Sequence, residues 1–157
     1  MGLTDEGVAL IRQGLAGLLQ IGVRSRISNY TAYLAEAQER QGAIAEALET
    51  VEYALQVNPD ELAYRPEILR ARGELRLKAG QAQLALADFN ESIQLARKMG
   101  AKAWELRATM SLARLLALQD RRDEARRMLD EIYNWFTEGF DTADLKDAKA
   151  LLDELTA

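Results

Sequence analysis

The sequence predicts an all-α fold of about eight antiparallel helices in a single domain, residues 1–157. Proline occurs only at Pro59 and Pro66, so few positions interrupt a helix. No stretch shows the strict alternation of polar and apolar residues that marks a half-buried strand. Turn-forming residues recur at intervals close to the length of an ordinary helix. Together these observations favour antiparallel helices joined by short turns.

Helix boundaries follow from the turn signals in chain order, because glycine ends a helix in the left-handed conformation and proline cannot continue one. The signals are Thr4, the region of Gly22, Gln41-Gly42, Asn58-Pro59 to Pro66, Ala79-Gly80, Gly100, Gln119-Asp120 and Gly139. The predicted helices are 5–21, 25–41, 44–57, 65–79, 82–99, 101–119, 122–137 and 142–155. They group into a leading half repeat (1–22), three helix pairs (25–57, 65–99 and 101–137) and a C-terminal capping helix (141–157).

A period appears when the turn residues Gly2, Gly42, Gly80 and Asp120, separated by 40, 38 and 40 positions, are aligned. Small residues stand five positions after each turn: Gly7, Ala47, Ala85 and Ala125. Large apolar residues stand nine positions after it: Ile11, Val51, Phe89 and Leu129. Seven positions before a turn the residue is again small: Ala35, Gly73 and Ala113. Small columns beside large ones let two antiparallel helices approach closely, which is typical of stacked helix-turn-helix repeats.

These columns resemble the tetratricopeptide repeat (TPR) family. In GELRLKAGQAQLALADFNESI, the family's small and large consensus positions correspond to Gly73, Gly80, Ala85, Phe89 and Ile93. The chain departs from the family where an aromatic residue is usual early in the first helix of a pair; it has Thr31, Leu69 and Thr109 there. The resemblance implies a TPR-like α-α superhelix whose first helices line the concave side. The alternative is an up-and-down helical bundle without repeats.

The last third of the chain carries a second resemblance. The segment AKAWELRATMSLARLLALQDRRDEARRMLDEIYNWFTEGFDTADLKDAKALLDEL is similar to the C-terminal TPR region of bacterial signal-transduction ATPases linked to adenylate or guanylate cyclase domains. The similarity covers roughly residues 65–155 and is strongest from Trp104 to Leu155. It implies a regulatory or assembly module, from a larger protein or standing alone. The opening at half a repeat favours a piece of something longer.

The amino-acid composition lacks residue types on which many catalytic sites depend. The chain has neither histidine nor cysteine, and no phosphate loop of the form GxxxxGK[ST]. We therefore expect no enzyme activity, no cofactor and no metal site. The net charge of −5 argues against nucleic acid as a partner. No apolar run reaches the roughly 20 residues that span a bilayer, so we expect no membrane partner and a cytoplasmic location.

A protein or peptide, possibly a neighbouring domain of the same parent protein, is the expected partner of the concave groove. The positions predicted to face inward are Asn29, Glu36, Glu39, Arg40, Glu67, Arg70, Glu74, Lys78, Arg107, Met110 and Arg114. Arg70, Arg107 and Arg114 are the best candidates for binding a partner carboxylate, because the planar guanidinium matches its geometry. The alternative role for these arginines is ordinary ion pairing between helices.

Other hypotheses about partners follow from the same positions. The TPR subgroup that binds chaperone C-terminal carboxylates has lysine and asparagine at set groove positions; the corresponding residues here are Ala32, Glu36, Glu67 and Ala71, which predicts no such binding. A small-molecule sensor is an alternative, which the absence of an obvious aromatic cage in the groove makes less favoured. Self-association through the exposed apolar face of helix 1 is another.

The aromatic stretch IYNWFTEGFD is interpreted as the end of the array. Phe136 continues the apolar stripe of helix 7, and Gly139 then ends that helix. Asp141 caps the next helix, which places Phe140 and Leu145 at the spacing of a hydrophobic staple. Burial of Phe140 is expected to contribute about 1.5–3 kcal/mol. Two further aromatic side chains lie off the stripe and are free to contact a partner: Tyr133 and Trp135.

Overall fold

The computed structural model describes residues 3–22, 27–57 and 62–156, which form helices and turns without any strand. The helices are α1 (Leu3–Gln20), α2 (Ile27–Arg40), α3 (Ile44–Val57), α4 (Arg65–Lys78), α5 (Ala82–Met99), α6 (Lys102–Leu118), α7 (Arg122–Tyr133) and α8 (Ala143–Thr156). The all-α prediction is confirmed, and only the end of α7 differs from the predicted boundaries by more than two residues. The proposed turn residue Gly2 and the closing Pro59 lie outside the described residues.

Helices pack in the order of a stacked repeat. Each helix packs against the next one in the chain, and α2–α4, α4–α6 and α6–α8 also pack against each other. We call α2, α4, α6 and α8 the first-type helices, and α1, α3, α5 and α7 the second-type helices. The first-type helices therefore form one continuous layer. This arrangement is the predicted TPR-like superhelix, and α8 takes the place of a fourth first-type helix on α6.

The aligned turn residues share one backbone conformation. Gly42, Gly80 and Asp120 have φ angles of 78°, 76° and 60°, in the left-handed region that glycine adopts without a side-chain clash. The amide that follows each of them donates to a carbonyl five positions earlier: Ala43 to Gln38 (3.0 Å), Gln81 to Arg76 (2.8 Å) and Arg121 to Leu116 (2.9 Å). These are the bonds of a Schellman helix end. Alignment of the three turns is therefore confirmed.

Small and large columns meet in the core as the period predicts. Ala47, Ala85 and Ala125 are fully buried, as are the large residues four positions after each of them, Val51, Phe89 and Leu129. Gly73 of α4 shows how close the helices come. A Cβ atom at Gly73 would lie 2.4 Å from Cε1 of Phe89. Only a residue without a side chain therefore fits against Phe89 at this crossing.

A buried ion network that the sequence analysis missed connects α3, α4 and α5. Asp88 is 2% exposed and accepts hydrogen bonds from Arg72 (2.7 Å) and Arg76 (2.9 Å). Glu52 of α3 accepts from the same two guanidinium groups, at 3.2 and 2.9 Å. Charge-assisted hydrogen bonds of this kind stabilise a buried carboxylate that would otherwise be strongly disfavoured. The network lies on the side of α4 that faces the second-type helices.

The predicted end of helix 7 is wrong. α7 ends at Tyr133, and Gly139 adopts the predicted left-handed conformation (φ 78°) only later, in the connection. α8 begins at Ala143, and the carbonyl of Thr142 accepts its first helical bond, from Lys146 at 3.1 Å. The N-cap of α8 is therefore Thr142 and not Asp141.

Phe140 also differs from expectation, because its side chain is 46% exposed. Its ring lies 5.8 Å from that of Tyr133, in a tilted contact. Half of the expected burial is therefore absent, and Phe140 contributes less than the 1.5–3 kcal/mol of a fully buried phenylalanine. α8, and not Phe140, covers the core at the C-terminal end of the array. Three of its leucines are buried against that core: Leu145, Leu151 and Leu152.

Three apolar residues in or just after α1 are exposed, as expected for a half repeat, although Val8 is buried. Leu10 is 68%, Leu19 39% and Ile21 74% exposed. α1 packs on α2, and Arg12 forms an ion pair with Glu46 of α3 at 2.7 Å. Self-association through this face stays a prediction. A mass that rises with protein concentration in light scattering agrees with it, and a constant monomer mass contradicts it.

Candidate functional site

The candidate site is a pocket of about 400 Å³ in the layer of first-type helices. α2, α4 and α6 each contribute to its walls, so the pocket spans the first helices of three successive helix pairs. We call it the groove pocket and define it by its lining residues: Asn29, Ala32, Tyr33, Ala35, Glu36, Glu39, Tyr64, Glu67, Arg70, Ala71, Glu74, Leu75, Trp104 and Arg107. Its volume falls within the range of about 300–1,000 Å³ that is usual for ligand pockets.

Aromatic side chains line the groove pocket, contrary to the sequence expectation. Tyr64 and Trp104 form a pair with ring centroids 5.8 Å apart and ring planes at 52°. Tyr33 of α2 also lines the pocket and is 53% exposed. The groove pocket therefore has aromatic side chains that the sequence analysis did not place there. Tyr64 was missed because it precedes α4 in the connection, and Trp104 because its spacing placed it on a core stripe of α6.

Arginine and glutamate side chains form an ion-paired cluster on the pocket floor. Arg70 donates to Glu67 through Nε (3.0 Å) and Nη2 (2.7 Å), and its Nη1 lies 3.6 Å from Glu74. Arg107 of α6 reaches the same Glu67, with Nη2 to Oε1 at 3.0 Å. It also lies 3.8 Å from Asp144 of α8. Glu67 thus connects α4 to α6 through two guanidinium groups.

The electrostatics of Arg70 follow from this cluster. Burial by itself lowers the pKa of Arg70, because desolvation disfavours a charge. The hydrogen bonds and negative charge of Glu67, with the charges of Glu74 and Asp144, more than offset burial, so the pKa lies above its ordinary value. Arg70 is therefore a permanent cation whose charge is already satisfied by the chain's own carboxylates.

Exposed ion pairs form the rim of the groove pocket. Glu36 accepts from Arg40, one turn later on α2, at 2.7 Å, and the Arg40 side chain is 73% exposed. Glu39 pairs with Lys78 of α4, which is 52% exposed. Neither Arg40 nor Lys78 lines the pocket itself. Because exposed pairs contribute little net energy, the rim carboxylates can exchange their partners readily.

The structure separates the predicted groove residues into three groups. Seven of them line the groove pocket: Asn29, Glu36, Glu39, Glu67, Arg70, Glu74 and Arg107. Arg40 and Lys78 stand at its rim, as described above. Two residues of α6 lie elsewhere.

Arg114 is exposed on α6 but does not line the groove pocket. Met110 is 5% exposed and belongs to the core cluster that α6 shares with α8, so its assignment to an open groove surface is wrong. The reason is that α8 stacks on α6 as a fourth first-type helix and covers this face.

The positions compared with the chaperone-binding subgroup all lie in the pocket. Ala32, Glu36, Glu67 and Ala71 line it and supply no basic group. The expectation that chaperone tails do not bind stays a prediction.

No group of three or more acidic side chains that could hold a metal ion occurs among the described residues. In the same residues no helix is long and apolar enough to cross a membrane.

Comparison with known proteins identifies structural likeness only. No protein-family model matches the chain, and no curated protein matches it by sequence. The crystal structure of BtubC (BKLC) from P. vanneervenii superposes with a TM-score of 0.83 at 12% identity, covering 99% of this chain and 66% of that one. The chain thus spans about two thirds of BtubC.

Two further structures have the same architecture. A putative kinesin light chain with nearly identical TPR-like repeats, from Podosopora anserina, gives a TM-score of 0.73 at 19% identity, over 97% of this chain and 77% of that one. The type III secretion translocator chaperone SycD of Yersinia enterocolitica gives 0.68 at 16% identity, over 87% of this chain and 96% of that one. At such identities the likeness shows the TPR-like fold alone.

Proposed function

We propose that this chain is a non-catalytic protein-interaction scaffold whose groove pocket holds a segment of a partner protein. The observation that carries the proposal is the groove pocket itself, in which three first-type helices place aromatic and charged side chains around one concavity. TPR-like folds act generally as interaction modules, because stacked helix pairs present an extended concave surface. SycD, one of the structural neighbours, is by its name a chaperone for translocator proteins.

The context that we propose is bacterial signalling in the cytoplasm. The segment from Trp104 to Leu155 resembles the C-terminal TPR region of signal-transduction ATPases with cyclase domains. This resemblance supports the proposed context. The partner segment then belongs either to another domain of the parent protein or to a separate protein. The scaffold acts by holding that segment, without chemistry of its own.

Peptide selection tests the proposal. The purified chain is used to select binders from a random short-peptide library, and the enriched peptides are synthesised and titrated by calorimetry. Trp104→Ala should weaken binding at least about tenfold, because truncating an aromatic side chain that the partner covers commonly removes a large share of the binding energy. The matched control is Trp135→Ala, since Trp135 is 57% exposed and lies outside the groove pocket.

The comparison with the Trp135→Ala control also defines the results that would contradict binding in the groove pocket. Equal losses in the two tryptophan variants would move the binding surface away from the groove pocket. Failure to enrich any peptide that depends on Trp104 would contradict the proposed function. Circular dichroism of each variant confirms that the helices are retained.

A further inference from the structure

We propose that the groove pocket accepts a basic side chain, arginine or lysine, presented by the partner segment. This inference rests on the proposed function and specifies its chemistry. It replaces the carboxylate-binding role that the sequence suggested for the groove arginines. Three features of the pocket support it: paired cations, surplus carboxylates and an aromatic wall.

The two arginines that line the pocket already form ion pairs with carboxylates of this chain. Arg70 is only 20% exposed and donates two hydrogen bonds to Glu67, and Arg107 forms an ion pair with the same carboxylate. A partner carboxylate would have to displace Glu67 from both guanidinium groups while approaching further acidic side chains. Because this exchange replaces one carboxylate by another and adds repulsion, it brings no net gain.

The carboxylates of the pocket outnumber its cations. Four glutamates and two arginines line it, which leaves a surplus of two negative charges within the lining. Glu67 is held by the arginines, while Glu36 and Glu39 pair, within the part of the chain that the structure describes, with Arg40 and Lys78, whose side chains are 73% and 52% exposed. An arriving guanidinium or ammonium group can take the place of these solvent-exposed partners. The rim therefore offers two carboxylates to a basic ligand.

The aromatic wall suits the same ligand. A cation over the face of a tryptophan or tyrosine ring is attracted by the negative potential of that face. The chain makes such a contact elsewhere, where Nζ of Lys102 lies 5.5 Å from the ring centroid of Trp135. Within the groove pocket, Tyr64 and Trp104 form a pair beside the glutamates, and Tyr33 is half exposed. A basic side chain can therefore stack on a ring while its charged end reaches a carboxylate.

A peptide is the favoured source of this cation. Side chains from three helix pairs line the pocket, and Tyr33 and Glu36 are both more than half exposed, so the pocket opens along the first-type layer. A peptide that continues on both sides of one basic residue can contact the first-type helices along this opening. Free small cations have the same chemistry, so spermidine serves as the comparison ligand.

The test reads the sequences of the selected peptides and measures their affinities. We expect arginine or lysine to be enriched at one position of the peptides that depend on Trp104. The double variant Glu36→Gln/Glu39→Gln should bind these peptides about tenfold more weakly, since it removes two charge-assisted contacts while breaking only exposed ion pairs. The control Glu131→Gln removes an exposed carboxylate of α7, outside the pocket, and should leave the affinity unchanged.

The possible results distinguish the basic-ligand inference from the scaffold function on which it rests. Selected peptides that are acidic, bind through Trp104 and keep their affinity for the double variant would overturn the basic-ligand inference while leaving the scaffold function intact. Failure of every peptide to depend on Trp104 would overturn both. Spermidine that binds as tightly as the selected peptides, and competes with them, would overturn the assignment to a peptide. Higher salt should weaken the binding of basic peptides.

Discussion

Gly73→Ala is the substitution that most sharply tests the close crossing of α4 and α5. The added Cβ would lie 2.4 Å from Cε1 and 2.7 Å from Cδ1 of Phe89. Non-bonded carbon atoms prefer about 3.5–4.0 Å, so the methyl group is about 1 Å too close. Phe89 is fully buried and cannot turn into solvent. The ring or the whole helix must therefore shift.

The expected destabilisation combines two opposing effects. Overpacking of a dense core costs about 1–3 kcal/mol, and this contact belongs at the upper end because the added Cβ is so close to a fully buried ring. Alanine improves the helix propensity of α4 by about 1 kcal/mol relative to glycine. The net loss is therefore about 2 kcal/mol, which lowers the melting temperature by about 4–8 °C in a domain of this size.

Urea and thermal unfolding followed by circular dichroism measure this loss. The matched control is Gly14→Ala, because Gly14 lies within α1 and a Cβ atom added there would meet nothing within 4 Å. It should gain about 0.5–1 kcal/mol. Phe89→Leu should cost less in the Gly73→Ala background than in the wild type, since the two sites are in contact. A Gly73→Ala protein as stable as the Gly14→Ala protein would refute the predicted packing.

The remaining predictions concern polar groups and are all measured by urea unfolding. Asp120→Gly should gain about 0.5 kcal/mol, because φ is 60° at this residue; a loss would contradict the turn geometry. Asp88→Ala should cost about 2–3 kcal/mol, since it removes the buried carboxylate that Arg72 and Arg76 share and leaves both with Glu52 alone; a change within error would show the network to be dispensable. Glu105→Gln should cost about 1–2 kcal/mol at neutral pH.

The effect of Glu105 has a defined pH dependence. Burial raises the pKa of this carboxyl, but the hydrogen bonds and charges of Lys102 and Arg97 outweigh burial and lower the pKa below its ordinary value. A group with a lowered folded pKa stabilises the protein above its unfolded pKa, and this contribution disappears as the pH falls through the folded pKa. The stability difference between wild type and Glu105→Gln should therefore shrink in acid. A difference that stays constant would contradict the lowered pKa.

Local signals made most of the fold predictable. Turn residues at Gly42, Gly80 and Asp120 mark a backbone conformation that depends on the chain within one turn, so a single sequence reveals them. The recurrence of small and large columns predicted that the helices of a pair approach closely, as α4 and α5 do where Gly73 meets Phe89. The end of α7 was misplaced because Phe136 fits the helical spacing although the helix has already ended.

The groove was less predictable, because it depends on which helices meet. Met110 has the spacing of an inward position on α6, but the stacking of α8 buries it. Tyr64 lies outside any helix and reaches Trp104 only through the tertiary fold. The partners of Glu67 include Arg107, which is 40 positions away in the sequence. Such contacts leave no periodic trace in one sequence.

Amide chemical-shift mapping with a selected peptide tests the central claim most directly. The structure predicts that the perturbed amides cluster on the walls of the groove pocket, in residues 29–39 of α2, in Tyr64 and residues 67–75 of α4, and in residues 104–107 of α6. The indole signal of Trp104 should shift, while that of Trp135 should not. Perturbations concentrated on the second-type helices α3, α5 and α7, with the Trp104 signal unchanged, would contradict a binding role for the groove.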